Sequence, residues 1–155
     1  MILKVQELAH NRLDFKPGSK TIEVLNIIDN NHPDNYQKLV ERAWVEYREG
    51  YYYLFYSGDN CCGDKAHYAL MVARSKKAIG PFETLAEAKG RDHSVILEEN
   101  GKWVATGHNS VVVDSSGQEW TASHGIDSTA TEKGRVMLMN KIIWENGWPH
   151  ILIQE

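Results

Sequence analysis

Apolar and polar positions alternate with a period near two along most of the chain. The runs "TIEVLNII", "AWVEY", "YYYLFYS", "HYALMVARS", "SVILEE", "KWVAT", "RVMLMNKIIW" and "PHILIQ" are rich in β-branched and aromatic residues. That composition suits strands with a packed face. "ILKVQELA" alternates more weakly, and "NSVVVDSSGQEWTASH" reads as two strands about a turn. Gly, Asn, Asp, Pro and Ser mark the breaks between runs. Helical character is confined to "TLAEAK", where Thr84 is placed to cap and Glu87 to complete a capping box. Many short strands at regular spacing predict an all-β sandwich, barrel or propeller.

An internal repeat decides among these. Shifted by 67 positions, "ERAWVEYREGYYYLFYS" overlies "HNSVVVDSSGQEWTASH" without a gap. Gly50 then meets Gly117, Gly58 meets Gly125 and Gly80 meets Gly147. Each unit holds a strand, a tight turn, a second strand, a loop and a third strand. A fourth strand follows, "SVILEE" in the first unit and "ILIQ" in the second. Four-strand units at this spacing are the signature of propeller blades. The expected organisation is one partial propeller domain over 1–155, with the tail of a preceding blade in 1–38 and blades in 39–105 and 106–155. Two and a half blades cannot close a ring. Their open faces would leave apolar surface and strand edges uncovered. Further chain or a second copy has to cover them.

Composition narrows the function classes. A chain of 155 residues and 17.6 kDa is enough for one domain with a real core. With 42% hydrophobic and 25% charged residues it reads as globular and not disordered. A net charge of −4 argues against nucleic acid, because phosphate binding needs a clustered basic surface. No apolar run reaches the roughly 20 residues that span a membrane. Lys4, Glu7 and Arg12 interrupt the first segment, so no signal peptide is read there and the compartment stays open. Cys61 and Cys62 are neighbours, a spacing that disfavours a bridge, and the expectation is reduced thiols in a loop.

In a propeller the first strand of each blade lines the central channel. The gapless repeat puts Glu41 and His108 at equivalent strand heads, so two titratable groups converge on one channel mouth. An acid between Val40 and Trp44, just ahead of an apolar run, is a general-acid candidate. The plainer reading is a strand-end ion pair with Arg42. Trp44 is the best-placed aromatic platform for a sugar. His108 suits a metal or a sugar hydroxyl, or an ordinary hydrogen bond. His124 is expected further from the axis, and His10, His32, His67, His93 and His150 are read as structural or surface.

The stretches "LVERAWVEYREGYYYLFYSGDNCCG", "HYALMVARSKKAIGPFE", "GHNSVVVDSSGQEW" and "GRVMLMNKIIWENGWP" resemble glycoside hydrolase family 43 in their order and spacing. That family comprises five-bladed propeller arabinanases, α-L-arabinofuranosidases and β-xylosidases. The resemblance covers only the later part of a member: the outer strands of blade 3 and the whole of blades 4 and 5, with four antiparallel strands per blade. It implies inverting hydrolysis of arabinan, arabinoxylan or xylo-oligosaccharides, with Glu41 matching the general acid. It also implies a Ca²⁺ or other cation near His108, and substrate contacts from Arg135. Arg42, directly after the acid, departs from the family pattern at the mouth and is a further substrate-binding candidate beside Trp44.

The resemblance also exposes a gap. The family's catalytic base and the aspartate that tunes the acid both head blades upstream of Met1. None of this chain's aspartates falls at a strand head. Inversion requires a base about 6.5–9.5 Å from the acid. The sequence therefore predicts a weakly active or inactive chain that needs a complementary N-terminal half. The alternative is a non-catalytic, carbohydrate-binding half-propeller that works as a homodimer. Either way the partner is an oligosaccharide or a plant cell-wall polysaccharide, and not a nucleic acid or a membrane.

Overall fold

The computed structural model describes residues 2–25, 36 and 39–153. β1 (Leu3–Val5) and β2 (Ile22–Leu25) form an antiparallel pair. The remainder of "TIEVLNII", 26–28, lies outside the described residues, as does His32. The first large sheet runs β3 (Val40–Arg48), β4 (Tyr51–Asn60) and β5 (His67–Ser75), and both β6 (Glu83–Thr84) and β7 (Val95–Leu97) pair with β5. The second sheet runs β8 (Trp103–Val113), β9 (Glu119–Asp127), β10 (Arg135–Glu145) and β11 (Trp148–Leu152), paired in sequence order. Thus "SVILEE" supplies β7, and "KWVAT" and "NSVVV" are one continuous strand, β8.

Local chemistry sets the connections. Between β6 and β7, α1 (Leu85–Lys89) carries the expected box: Thr84 Oγ1 accepts from Glu87 N at 3.2 Å, and Glu87 Oε2 accepts from Thr84 N at 2.8 Å. The β3–β4 hairpin closes on Arg48 and Tyr51, with Glu49 and Gly50 both at positive φ, 50° and 84°. That is the two-residue turn whose twist matches a hairpin. The β8–β9 connection is longer. Asp114 N donates to Gln118 O, and Asp114 Oδ1 accepts from Ser116 and Gln118. Bonds from Ser116 and Trp120 hold the Asp114 carboxyl well below the usual carboxylate range.

This extra residue corrects the repeat. β4 and β9 keep the 67-residue offset, with Ser57 matching His124, but β3 and β8 match at 66. Glu41 pairs across to Ser57 and Gly107 to His124, so the structural counterpart of Glu41 is Gly107. His108 corresponds instead to Arg42. Both sit in the bulge that follows, at φ 54° and 58°.

Among the described residues, three apolar clusters hold the fold. Leu54, Tyr56, Ala69 and Met71 pack toward Leu25, Leu3 and Val24 of the β1–β2 pair. Between the two sheets, Tyr53, Phe55, Leu70 and Val72 meet Val111, Ile142 and Trp148. At the far end of this junction Tyr53 Oη donates to Gly147 O at 2.7 Å, and Arg74 lies 4.3 Å over the Trp148 ring. A smaller cluster of Tyr68, Ala105 and Ile126 sits near the strand heads. The second sheet's other face is open: Val112, Met137 and Met139, which the register places together, are 44%, 75% and 39% exposed.

Candidate active site at the strand heads

The bulges in β3 and β8 lie side by side and line one cleft of about 460 Å³, formed by Arg42, Ala43, Trp44, His108, Asn109 and Ser110. A bulge turns a side chain out of the ladder, which presents Arg42 and His108 to this cleft. Glu41 stands at the cleft's edge, half-buried. Tyr68 Oη donates to its Oε1 at 2.8 Å. Ser57 Oγ accepts from His108 N at 2.9 Å, tying the two sheets together at this point.

Four of the residues expected at the mouth therefore meet here: Glu41, Arg42, Trp44 and His108. Arg135 begins β10 and acts on the same place through its charge, holding the His108 and His124 rings down. For His108 the main cause is burial, followed by the Arg42 guanidinium, with Glu41 opposing. His108 is therefore a neutral imidazole at neutral pH. It is one donor, however. Among the described residues no three His, Cys, Asp or Glu gather in a metal-binding group, and calcium needs six to eight oxygens. The residues present do not by themselves fit a cation.

Two expectations are corrected here. His124 is not remote: its ring stacks on Tyr68 at 5.6 Å and meets His108 edge-on at 5.7 Å. It was misplaced because β9 carries it to Gly107, directly across from the strand head. Cys61 and Cys62 are joined in a disulfide, not free; the packing of Cys61 against the Tyr68 cluster anchors the loop that holds them.

Tyr68, Ser57 and Gly107 also belong to the site, and no short-range pattern assigns them to it. Tyr68 is buried, and burial first, then the Glu41 carboxylate, push its phenol well above the ordinary value. It fits only because position 107 is glycine: a Cβ there would lie 2.6 Å from the Tyr68 ring.

His124 makes the fold pH-sensitive. Burial lowers it from 6.5 to about 4, helped by Arg135 and His108. The Ala105 backbone favours the charged ring but is not in bonding geometry, and both ring nitrogens are buried without a partner. As pH falls below 6.5 the unfolded ring takes its proton first, so stability is lost progressively down to about 4. With partial exposure discounted, the loss is on the order of 1–2 kcal/mol. Thermal melts from pH 7 to pH 4 should fall more steeply for the natural chain than for His124→Asn. Equal slopes would assign the loss to other groups.

The architecture is all-β, built from antiparallel sheets, the larger two of five and four strands, with polar groups gathered where β3 and β8 bulge. The chain belongs to family 43 of the glycosyl hydrolases, whose model matches residues 4–149. It is 31% identical over 120 residues to the extracellular exo-alpha-(1->5)-L-arabinofuranosidase of Cellvibrio japonicus, covering 72% of this chain and 33% of that protein. An extracellular endo-alpha-(1->5)-L-arabinanase of Bacillus subtilis is 28% identical over 123 residues, covering 71% and 33%. The fold is shared with the alpha-L-arabinanase of Cellvibrio cellulosa complexed with arabinohexaose, at 24% identity and a TM-score of 0.77, over 96% of this chain and 49% of that one. The chain thus spans about a third of these curated relatives and about half of that solved arabinanase.

Proposed function

We propose that this chain is the later part of a family 43 glycosidase acting on arabinan, arabinoxylan or xylo-oligosaccharides by inversion, with Glu41 as the general acid. In this reading β1 and β2 belong to the third blade, and the two sheets are the fourth and fifth of a five-bladed propeller. The observation that carries it is the carboxyl group of Glu41 held by Tyr68 at the edge of a polar cleft. The phenol occupies Oε1 and leaves Oε2 to carry the proton delivered to the leaving oxygen. Arg42, Trp44 and Arg135 bind the sugar, with Trp44 as its stacking face. That the relatives are an arabinofuranosidase and an arabinanase supports the substrate class, and that both are extracellular supports secretion.

Among the described residues no carboxylate lines the cleft between the bulges. Asp59 is engaged with His67 at 2.7 Å, and Asp29 and Asp34 lie outside the described residues. The base of an inverting pair is therefore assigned to the part of the propeller that this chain does not span.

The open face of the second sheet supports a second reading, a carbohydrate-binding half-propeller whose copies cover that face as a homodimer. Sugar release measured beside light scattering separates the two. The isolated chain should release little or no sugar from aryl-arabinofuranoside, aryl-xyloside or linear arabinan. A 17.6 kDa particle fits the enzyme-half reading and a doubled mass fits the homodimer. Turnover by such a dimer, lost in Glu41→Gln, would show that two copies make a complete site.

A further inference from the structure

A second cleft of about 570 Å³ lies between the loop 61–66 and the turn that precedes β10. Its floor is apolar. Ala66, Val104 and Ile126 line it, and the same residues form or pack on the Tyr68–Ala105–Ile126 cluster. Cys61 packs on that cluster too. Its disulfide partner Cys62 is exposed and lines the cleft. Two bridged neighbouring cysteines close a small ring. Its sulfurs are weak acceptors with no donor, so it offers an apolar plate and not a polar contact. Asp64, Glu132 and Arg135 stand around this floor.

Two residues link this cleft to the mouth. The Tyr68 whose cluster floors it also donates to Glu41. Arg135 lines it and also acts on His108 and His124. We propose that this cleft is an outer sugar-binding subsite: a pentose ring of a neutral arabino- or xylo-oligosaccharide lies on the Cys61–Cys62 disulfide, and Asp64, Glu132 and Arg135 take its hydroxyls. The inference rests on the carbohydrate reading of the mouth. Two carboxylates against one guanidinium disfavour an anionic ligand. A wholly apolar ligand would strip water from three charged groups and return no hydrogen bond. A sugar has both an apolar face and a hydroxyl edge, and the volume suits one or two rings.

Titration of the whole ¹⁵N-labelled chain with arabinotriose, and separately xylotriose, tests this. Amide shifts are expected at 62–66 and 131–135. The paired substitution Cys61→Ser with Cys62→Ser should weaken binding by about tenfold. If that variant does not fold, Asp64→Ala, exposed in the loop, and Glu132→Ala, exposed in a single 3₁₀ turn, decide the same question by a smaller weakening. Shifts confined to 41–44 and 108–110 would overturn the subsite and leave the mouth reading standing. Shifts at neither place, with either sugar, would overturn both. Shifts at the cleft with affinity unchanged in every variant would refute the assigned contacts.

Discussion

Gly58→Ala should lower the melting temperature of this chain by roughly 6–12 °C or prevent it from folding. A Cβ at position 58 would lie 1.9 Å from Tyr36 O, 2.8 Å from Leu39 O and 2.9 Å from Met71 Cε. Two of the three obstacles are backbone carbonyls, and Leu39 O is already bonded to Asp59 N at 2.9 Å. Tyr36 and Leu39 therefore lie directly over β4, and Leu39 cannot withdraw without breaking that bond. Overpacking against a fixed backbone costs about 3 kcal/mol or more. Gly125, its repeat partner, is a useful control. There the first obstacle is Leu138 Cδ1 at 2.7 Å, the end of a flexible side chain, and Thr106 Cγ2 follows at 3.3 Å. Gly125→Ala should cost about 1 kcal/mol, near 2–4 °C. Circular-dichroism melts of the two variants compare them directly. The reverse ranking would mean that Tyr36 and Leu39 are not held over β4.

These two glycines show how far the sequence carries. The repeat aligned them, and the strands around them form as the alternation predicts. Both facts rest on short-range patterning: period-two burial, turn residues and the Thr84–Glu87 box are all written within a few positions. What the repeat could not distinguish is what each glycine faces, because that depends on chain folded back from elsewhere. The same limit moved Glu41 off its apparent partner. A single extra residue in the "DSSG" turn shifts β8 against β3, and a gapless overlay cannot see it. Nor does Arg42 announce a bulge, since arginine is not a type that favours positive φ, and a single histidine, though enriched there, is too weak a signal to mark one.

The candidate site divides in the same way. Glu41, Arg42, Trp44 and His108 were legible because the repeat aligns the start of β3 with the middle of β8 to within one residue. Tyr68 was not, because its bond to Glu41 spans 27 residues and two strands. His124 was set aside on its place after a strand, although antiparallel pairing returns it to Gly107. For the cysteines, adjacency argued against a bridge, and the loop nevertheless brings them together.

If the chain is the proposed later part of a glycosidase, the largest functional effect is expected at Glu41 in the completed protein. Joined to the preceding blades of a family relative such as the Cellvibrio japonicus arabinofuranosidase, the chain should hydrolyse an aryl-arabinofuranoside. Glu41→Gln should then lower kcat by about 10²–10⁴-fold with little change in KM. Glutamine keeps the shape and still accepts from Tyr68, so the loss isolates the proton. Gly107→Ala reaches the same carboxyl indirectly. Its Cβ would lie 2.6 Å and 2.7 Å from the Tyr68 ring and 3.0 Å from Ser57 Oγ. Tyr68 is 1% exposed and packed on Ala105 and Ile126, so the ring can make room only by carrying its hydroxyl away from Glu41. A misplacement of about 1 Å can cost a hundredfold in rate, so Gly107→Ala should fall between Glu41→Gln and Tyr68→Phe. Tyr68→Phe keeps the ring and removes only the bond, so it separates orientation of the acid from packing of the strand heads. If Gly107→Ala lowers the melting temperature but leaves kcat unchanged, Tyr68 serves the fold alone, and the acid is oriented by the blades joined to this chain.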